Sequence, residues 1–438
     1  MIFDDPTRIR LLGSIEANNL VLLCGAGLSI PVPSNLMSAV QVSRTCYDKY
    51  QSIMELPAAM REDIEQLAGH FYKNGGFESV FLGTLVPWND LVGRPNKGHA
   101  AVADLLICGA AEGALSANFD TLIEHWANER KKAMRGALTG QEAITFGRDC
   151  GPLVKFHGCL YRDRNKTLWV QDQLPEPAIA DRIASCSQWM GLTLPGKDLL
   201  VVGFWTDWGY LNNVIANAMS VNPFGSVTVV DPKSSADLQA AAPTLWARLE
   251  GGTAHFLHVS ASGADALEEL QAAFSKVWTK KFYALGKTML EADGKHYFAI
   301  DPGMSCEDFY SFRQDAEGTP YHCAAKLKAP PSGADAAAFL HLLFIQAKAA
   351  RRGSWYEYGG KLIRIVQGAG QLISTVRERY KEPPAMLESD VVVCAGALDI
   401  PVPACLIASG GGASVVRPSS GGGARWLTLE QARGEFKI

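Results

Sequence analysis

The feature that most constrains this chain is an alternation that runs from about residue 19 to residue 280. Short, largely apolar segments are followed by longer segments with a helical pattern. The strand-like segments are 19–24, 114–118, 143–146, 152–156, 199–202, 227–230 and 255–258. The region 35–90 reads as mostly helical, and further helices are expected at 99–108, 121–132, 209–220, 235–249 and 263–280. A strand that alternates polar and apolar residues has one wet face, whereas a strand apolar throughout must be covered on both faces. Strands of that kind, separated by helices, predict a parallel sheet with helices on each side. The expected fold class is therefore α/β, a doubly wound parallel sheet over residues 1–285 with a helical insertion at about 35–95.

Beyond about residue 290 the pattern changes. Strand-like pieces stand at 297–300, 391–394 and 404–408, with helices expected at 334–350 and near 360–380. A smaller α+β domain is expected over 290–438, and 438 residues suit two domains. Gly-Gly-Gly runs occur at 410–412 and 421–423, but neither continues into the Gly-Lys-Ser/Thr of a phosphate-gripping loop, so both read as flexible connections.

A net charge of −4 supplies no global positive field, which argues against direct binding to nucleic acid or anionic lipid. The basic clusters Arg130-Lys131-Lys132 and Arg351-Arg352 each follow a helical stretch and read as solvated helix ends. Ten cysteines occur without one Cys-x-x-Cys pair, so no zinc site, and no other metal site, is readable. They read as lone thiols of a reducing compartment. The start, Met1-Ile2-Phe3-Asp4-Asp5-Pro6, lacks a basic region and an apolar core, and the apolar stretch at 339–345 is broken by His341. A soluble cytoplasmic protein with no membrane span is expected.

Five short segments carry candidate chemistry. Gly25-Ala26-Gly27-Leu28-Ser29 follows the first buried strand and precedes an expected helix. Glycines there would let backbone approach a pyrophosphate. Ile30 stands where the hydride-transfer fingerprint has a third glycine, which argues against a dehydrogenase. Then come Pro95-Asn96-Lys97-Gly98-His99, Ser116-Ala117-Asn118-Phe119-Asp120, Lys155-Phe156-His157-Gly158, and Gly203 with Asp207. A final strand ends in Asp231. In this order the set resembles the sirtuin superfamily, over about residues 15–285.

The resemblance implies a Rossmann-like sirtuin fold with NAD as substrate. Gly25, Ala26, Gly27, Ser29, Asn96, Gly203, Asp207 and Asp231 would hold the dinucleotide. Asn118 would position the ribose or the attacking water, and Asp120 would orient nicotinamide or steady the cationic sugar. His157, with an ordinary pKa of about 6.5, is the natural base at neutral pH. The alternative for His157 is a hydrogen-bonded core histidine. His99 is expected to pin its loop rather than carry a proton, and His125 to be structural.

Protein-deacylating sirtuins insert a zinc module after the His-Gly segment, but here only Cys159 and Cys186 lie between Gly158 and Gly203. The Asn-Phe-Asp and Lys-Phe-His-Gly forms look like the zinc-free branch found in bacterial antiphage defence. That branch implies an NAD glycohydrolase yielding ADP-ribose and nicotinamide, acting as the effector that depletes cellular NAD. It also implies a homo-oligomer and a partner such as a HerA-like ATPase or another defence protein, engaged through residues 290–438. Two other readings stay open: an NAD-dependent deacylase or ADP-ribosyltransferase, and a non-catalytic sensor of NAD or ADP-ribose.

Overall fold

The computed structural model describes residues 1–148, 150–298, 300–301, 303–318, 333–380, 389–399 and 424–438. Two compact units result, Met1–Gln271 and Ala272–Ile438, the division falling within the helix Gly263–Leu285. The 404–408 stretch and both triple-glycine runs lie outside the described residues. No described helix is long and apolar enough to cross a membrane.

The first unit is built on six parallel strands: β1 (Leu20–Cys24), β2 (Gly113–Ser116), β3 (Leu153–Lys155), β4 (Asp198–Val202), β5 (Ser226–Val230) and β6 (Phe256–Val259). Their order across the sheet is β3-β2-β1-β4-β5-β6, so the winding reverses between β1 and β4. Every residue of β1 and β5 is buried, whereas the edge strand β6 is half-buried. The largely apolar runs therefore mark the interior of a sheet covered by helices on both faces, as the alternation predicts. Each Leu or Val so buried contributes about 1.5–3 kcal/mol.

At the reversal point the carboxyl ends of β1 and β4 approach backbone to backbone. Gly25 donates its N–H to Val202 O (3.1 Å) and Gly27 to Gly203 O (3.0 Å). A β-carbon on Gly25 would stand 2.5 Å from Gly203 O, and one on Gly203 would stand 2.6 Å from the Leu28 nitrogen. Gly203 also has φ of +63°, which side-chain-bearing residues avoid.

The expected helix directly after Ser29 does not form. Residues Ala26–Leu28 make a single 3₁₀ turn and the next helix begins at Ala39, because Pro31 and Pro33 withhold the N–H groups that a helix would need. That helix, Ala39–Gln51, is capped reciprocally by Ser38 and Gln41. With Ile64–Lys73 and the π-helical Phe77–Leu85 it forms the insertion. The insertion has its own core, in which Phe71, Phe77 and Phe81 pack with Trp88 and with Trp169 from the 160–170 segment.

Four other expectations are corrected. Residues 143–146 are helical, within Gly140–Phe146: Thr139 accepts the Glu142 N–H at 3.1 Å and caps the helix, and Ile144 is exposed. Pro243 divides the 235–249 region into Ser235–Ala241 and Pro243–Gly251. Near 360–380 a strand precedes a short helix, and Tyr297 and Phe298 belong to no strand.

The second unit has a mixed sheet ordered β11-β10-β9-β8-β7, comprising β7 (Ala350–Arg352), β8 (Trp355–Tyr358), β9 (Lys361–Gln367), β10 (Val391–Ala395) and β11 (Arg425–Thr428). Strands β7, β8 and β9 form an antiparallel meander, while β9, β10 and β11 are parallel. Arg364 of β9 is buried against Asp315, with Nε 2.8 Å from Oδ2 and Nη2 2.6 Å from Oδ1. Its guanidinium lies 5.2 Å from the rings of both Trp355 and Tyr380. A bidentate pair between aromatic faces is a costly arrangement to break, since either charge left alone would be buried. The fold includes both a doubly wound parallel sheet and this smaller mixed-sheet unit.

The contact at the reversal point yields a prediction. Gly203→Ala combines left-handed strain with a clash against backbone that cannot yield, and should cost about 3 kcal/mol. Urea unfolding checks it: an unchanged midpoint would show that the two strand ends are not in van der Waals contact.

Candidate active site

In an open parallel sheet the loops after the strands diverge at the reversal point and leave a crevice. Here it is a cavity of about 370 Å³, within the range of small-molecule sites. Each wall comes from a different strand end. Ala26 and Ser29 follow β1, Ala117 to Asp120 follow β2, His157 follows β3, and Gly203 to Thr206 with Trp208 follow β4. The insertion closes the remaining side with Leu36, Met37, Ile64 and Glu65 among others.

Asn118, Asp120 and Ser29 share one hydrogen-bond network. Ser29 Oγ donates to Asp120 Oδ2 (2.9 Å) and accepts from Asn118 Nδ2 (3.3 Å). Asn118 Nδ2 also donates to Gly25 O at 3.1 Å. His99 Nδ1 accepts the backbone N–H of Asn96 at 3.2 Å, which fixes the ring proton on Nε2; from there it is donated to Ser29 Oγ at 3.1 Å. His99 thus supports the network from behind. Burial lowers its pKa to about 4, against the opposing pull of the Asp120 charge. Asn118 Oδ1 is buried without a hydrogen-bond partner, a condition that costs about 1–3 kcal/mol unless a ligand or water relieves it.

His157 is also buried. Its Nε2 lies 2.7 Å from Tyr210 Oη, and its ring packs 4.8 Å from that of Trp208. Burial, reinforced by the positive charge of Arg182, lowers its pKa to about 3. The imidazole is therefore neutral at physiological pH.

The other expected residues lie around the cavity rather than on it. Gly25 and Gly27 serve the strand-end contact described above and do not line it. Asn96 caps the helix Lys97–Ile107 by accepting from Gly98 and His99, and its amide donates to Leu28 O (2.8 Å) and Pro31 O (3.2 Å). Asp207 accepts the N–H groups of Thr244 (3.0 Å) and Leu245 (2.8 Å), which caps the helix Pro243–Gly251, and those bonds hold its carboxyl below the usual range. Asp231 accepts from Lys233 N at 2.9 Å and does not line the cavity. Ala26, Ser29, Asn118, Asp120, His157 and Gly203 are the expected residues that come together.

Four contributors went unassigned in the sequence. Lys155, almost fully buried, donates to the carbonyls of Phe119 and Asp120 and lies 3.3 Å from Glu124. It holds in place the turn that presents Asp120. A lysine inside the apolar run 152–156 was the signal. Glu65 and Tyr210 carried no comparable sign, and the cluster of Trp169, Trp205 and Trp208 only a compositional one. Among the described residues the lining includes two carboxylates, Glu65 and Asp120, and neither lysine nor arginine. Among the described residues no group of three His, Cys, Asp or Glu side chains is placed to hold a metal.

The two histidines define an acid limit. Unfolded, each takes up a proton near pH 6.5; folded, His99 resists until about pH 4 and His157 until about pH 3. Between those values the unfolded chain binds more protons, so stability should be level above pH 6.5 and fall by several kcal/mol as pH drops toward 4. Urea unfolding at pH 7 and pH 5 measures this. Equal stabilities at the two pH values would mean that the imidazoles are not buried in neutral form.

No family profile and no curated protein sequence matches the chain. Among solved structures, a mutant Sir2 homologue complexed with ADP-ribose aligns at 17% identity and TM-score 0.35, covering 63% of this chain and 98% of its own. A structure described as the basis for the mechanism and regulation of Sir2 enzymes aligns at 14% identity and TM-score 0.37, covering 63% and 100%. A Sir2 complex with a p53 peptide and NAD⁺ aligns at 13% identity and TM-score 0.33, covering 61% and 98%. These scores are too low to bear on the fold, which the strand order and register define by themselves.

Proposed function

We propose that the first unit is a sirtuin-type NAD glycohydrolase, converting NAD⁺ and water to ADP-ribose, nicotinamide and a proton. The observation that carries this reading is the convergence of Asn118, Asp120 and His157 on one aromatic-walled cavity whose charged lining groups are carboxylates. A pyridinium is an aromatic cation. Ring faces attract it and two carboxylates complement its charge, whereas a lysine or arginine would repel it. The same surroundings favour the oxocarbenium-like sugar that forms as the C1′–N bond breaks.

In this reading Asp120, held by Ser29 and the Leu122 N–H, faces the developing positive charge. The unpartnered Oδ1 of Asn118 accepts from the attacking water or a ribose hydroxyl. His157 accepts the proton released when water adds to C1′. Its low basicity is compensated by arriving uncharged and already in place. The sequence resemblance to zinc-free defence proteins supports a role as an antiphage effector that depletes cellular NAD. It also supports assembly through the second unit, with copies of itself or with a HerA-like ATPase; sedimentation showing only monomers of the full chain would remove the self-assembly.

The test is release of free nicotinamide from NAD⁺, with and without an acetylated peptide, by the wild type, His157→Ala and Asn118→Ala. Peptide-independent release should fall about 100-fold or more in each variant while NAD⁺ still binds. Release only with peptide would establish deacylation instead, and binding without release in the wild type would leave a sensor.

A further inference from the structure

The loop after β3 and the helix after β4 come from strands that are not neighbours in the sheet, yet a single hydrogen bond joins them. His157 Nε2 and Tyr210 Oη are 2.7 Å apart. Tyr210 sits in the first turn of the helix Gly209–Val221. Trp208 packs against both rings, at 4.8 Å from His157 and 6.0 Å from Tyr210, and Phe156 lies 4.7 Å from His157. The imidazole is therefore held by its Nε2 side and by two aromatic neighbours. Its other ring nitrogen, Nδ1, has no hydrogen bond to any described residue, while the histidine itself lines the cavity.

We propose that Tyr210 is the positioning residue for His157: by engaging Nε2 it fixes the ring and leaves Nδ1 as the nitrogen that accepts the proton. A neutral imidazole has one N–H and one lone pair. If Nε2–H donates to Tyr210 Oη, the lone pair is on Nδ1 and is free for a water proton. Once that proton is taken, the imidazolium keeps its bond to the phenol oxygen, now charge-assisted and stronger. The opposite arrangement, with Tyr210 donating to Nε2, would place the proton on Nδ1 and make His157 a donor to the ligand. Burial pushes the phenol well above its ordinary range, so Tyr210 keeps its proton in either case and relays no charge itself. The catalytic consequence rests on the hydrolase reading; the tautomer does not.

The experiment uses the full chain with nitrogen-15 histidine, the His157 signals being assigned by difference from His157→Gln. Wild-type His157 should show the Nε2–H tautomer, and Tyr210→Phe, which keeps the ring and loses only the hydroxyl, should shift both nitrogen signals toward a tautomer average. In nicotinamide release, Tyr210→Phe should lower kcat about tenfold, the rate equivalent of one lost hydrogen bond, with KM for NAD⁺ changed less than about twofold. A merely structural tyrosine would move the unfolding midpoint and leave the nitrogen signals in place. An Nδ1–H tautomer in the wild type, or signals and kcat unaltered in the variant, would overturn the proposal. The spectra decide it even for a protein that turns over no NAD⁺, so its failure and the failure of the hydrolase reading are separate results.

Discussion

The structure of the site depends on how closely the ends of β1 and β4 approach each other. Three glycines, Gly25, Gly27 and Gly203, allow main chain to touch main chain at the point where the sheet reverses direction. With any larger residue there the two strand ends would separate. Ser29 and Ala26 would then leave Gly203 and Phe204, and the cavity between the loops would lose its floor. The glycine-rich turn invites a phosphate-binding interpretation, but its geometry is explained by packing within the protein alone. Ala26, Ser29 and Gly203 line the cavity, while Gly25 and Gly27 do not.

Charge is distributed around this crevice with the cations set back from it. Lys155 is buried behind the turn that carries Asp120, where Glu124 and two carbonyls satisfy it, and Arg182 is buried against Asp163 and the Phe156 carbonyl. The carboxylates face the cavity, and the two imidazoles are kept neutral by burial. Removing one member of the Lys155–Glu124 pair would leave a buried charge at a cost of about 3–5 kcal/mol, more than a surface ion pair ever contributes. The pair is better understood as a brace for the Phe119–Asp120 turn than as a source of net stability.

Much of this was legible in the sequence because the strands are largely apolar, most completely in Leu20–Cys24, a pattern that favours a parallel sheet covered on both faces. Ala26, Asn118, Asp120, His157 and Gly203 were legible too, because each follows a strand closely. Failures arose where local chemistry outweighed hydrophobicity. Ala143 to Phe146 is apolar enough for a strand, but Thr139 and Glu142 supply a helix start that the run itself does not show. Asn96 and Asp207 both cap helices, a role that their positions in the sequence do not reveal. Tyr210 was illegible for a different reason: its partner is 53 residues away, in the loop after a strand that is not adjacent to its own.

The insertion contributes one wall of the crevice while keeping a hydrophobic core of its own. Phe81 stacks on Phe71 and Phe77 and meets the edge of Trp169, and Trp169 in turn is part of the lining. Each ring of that stack touches the next, so a change in one is passed to its neighbours. Trp169, which lines the cavity, is thus positioned by rings at a remove from it, and a change at Phe71 or Phe77 would be felt at the lining without altering any residue on it.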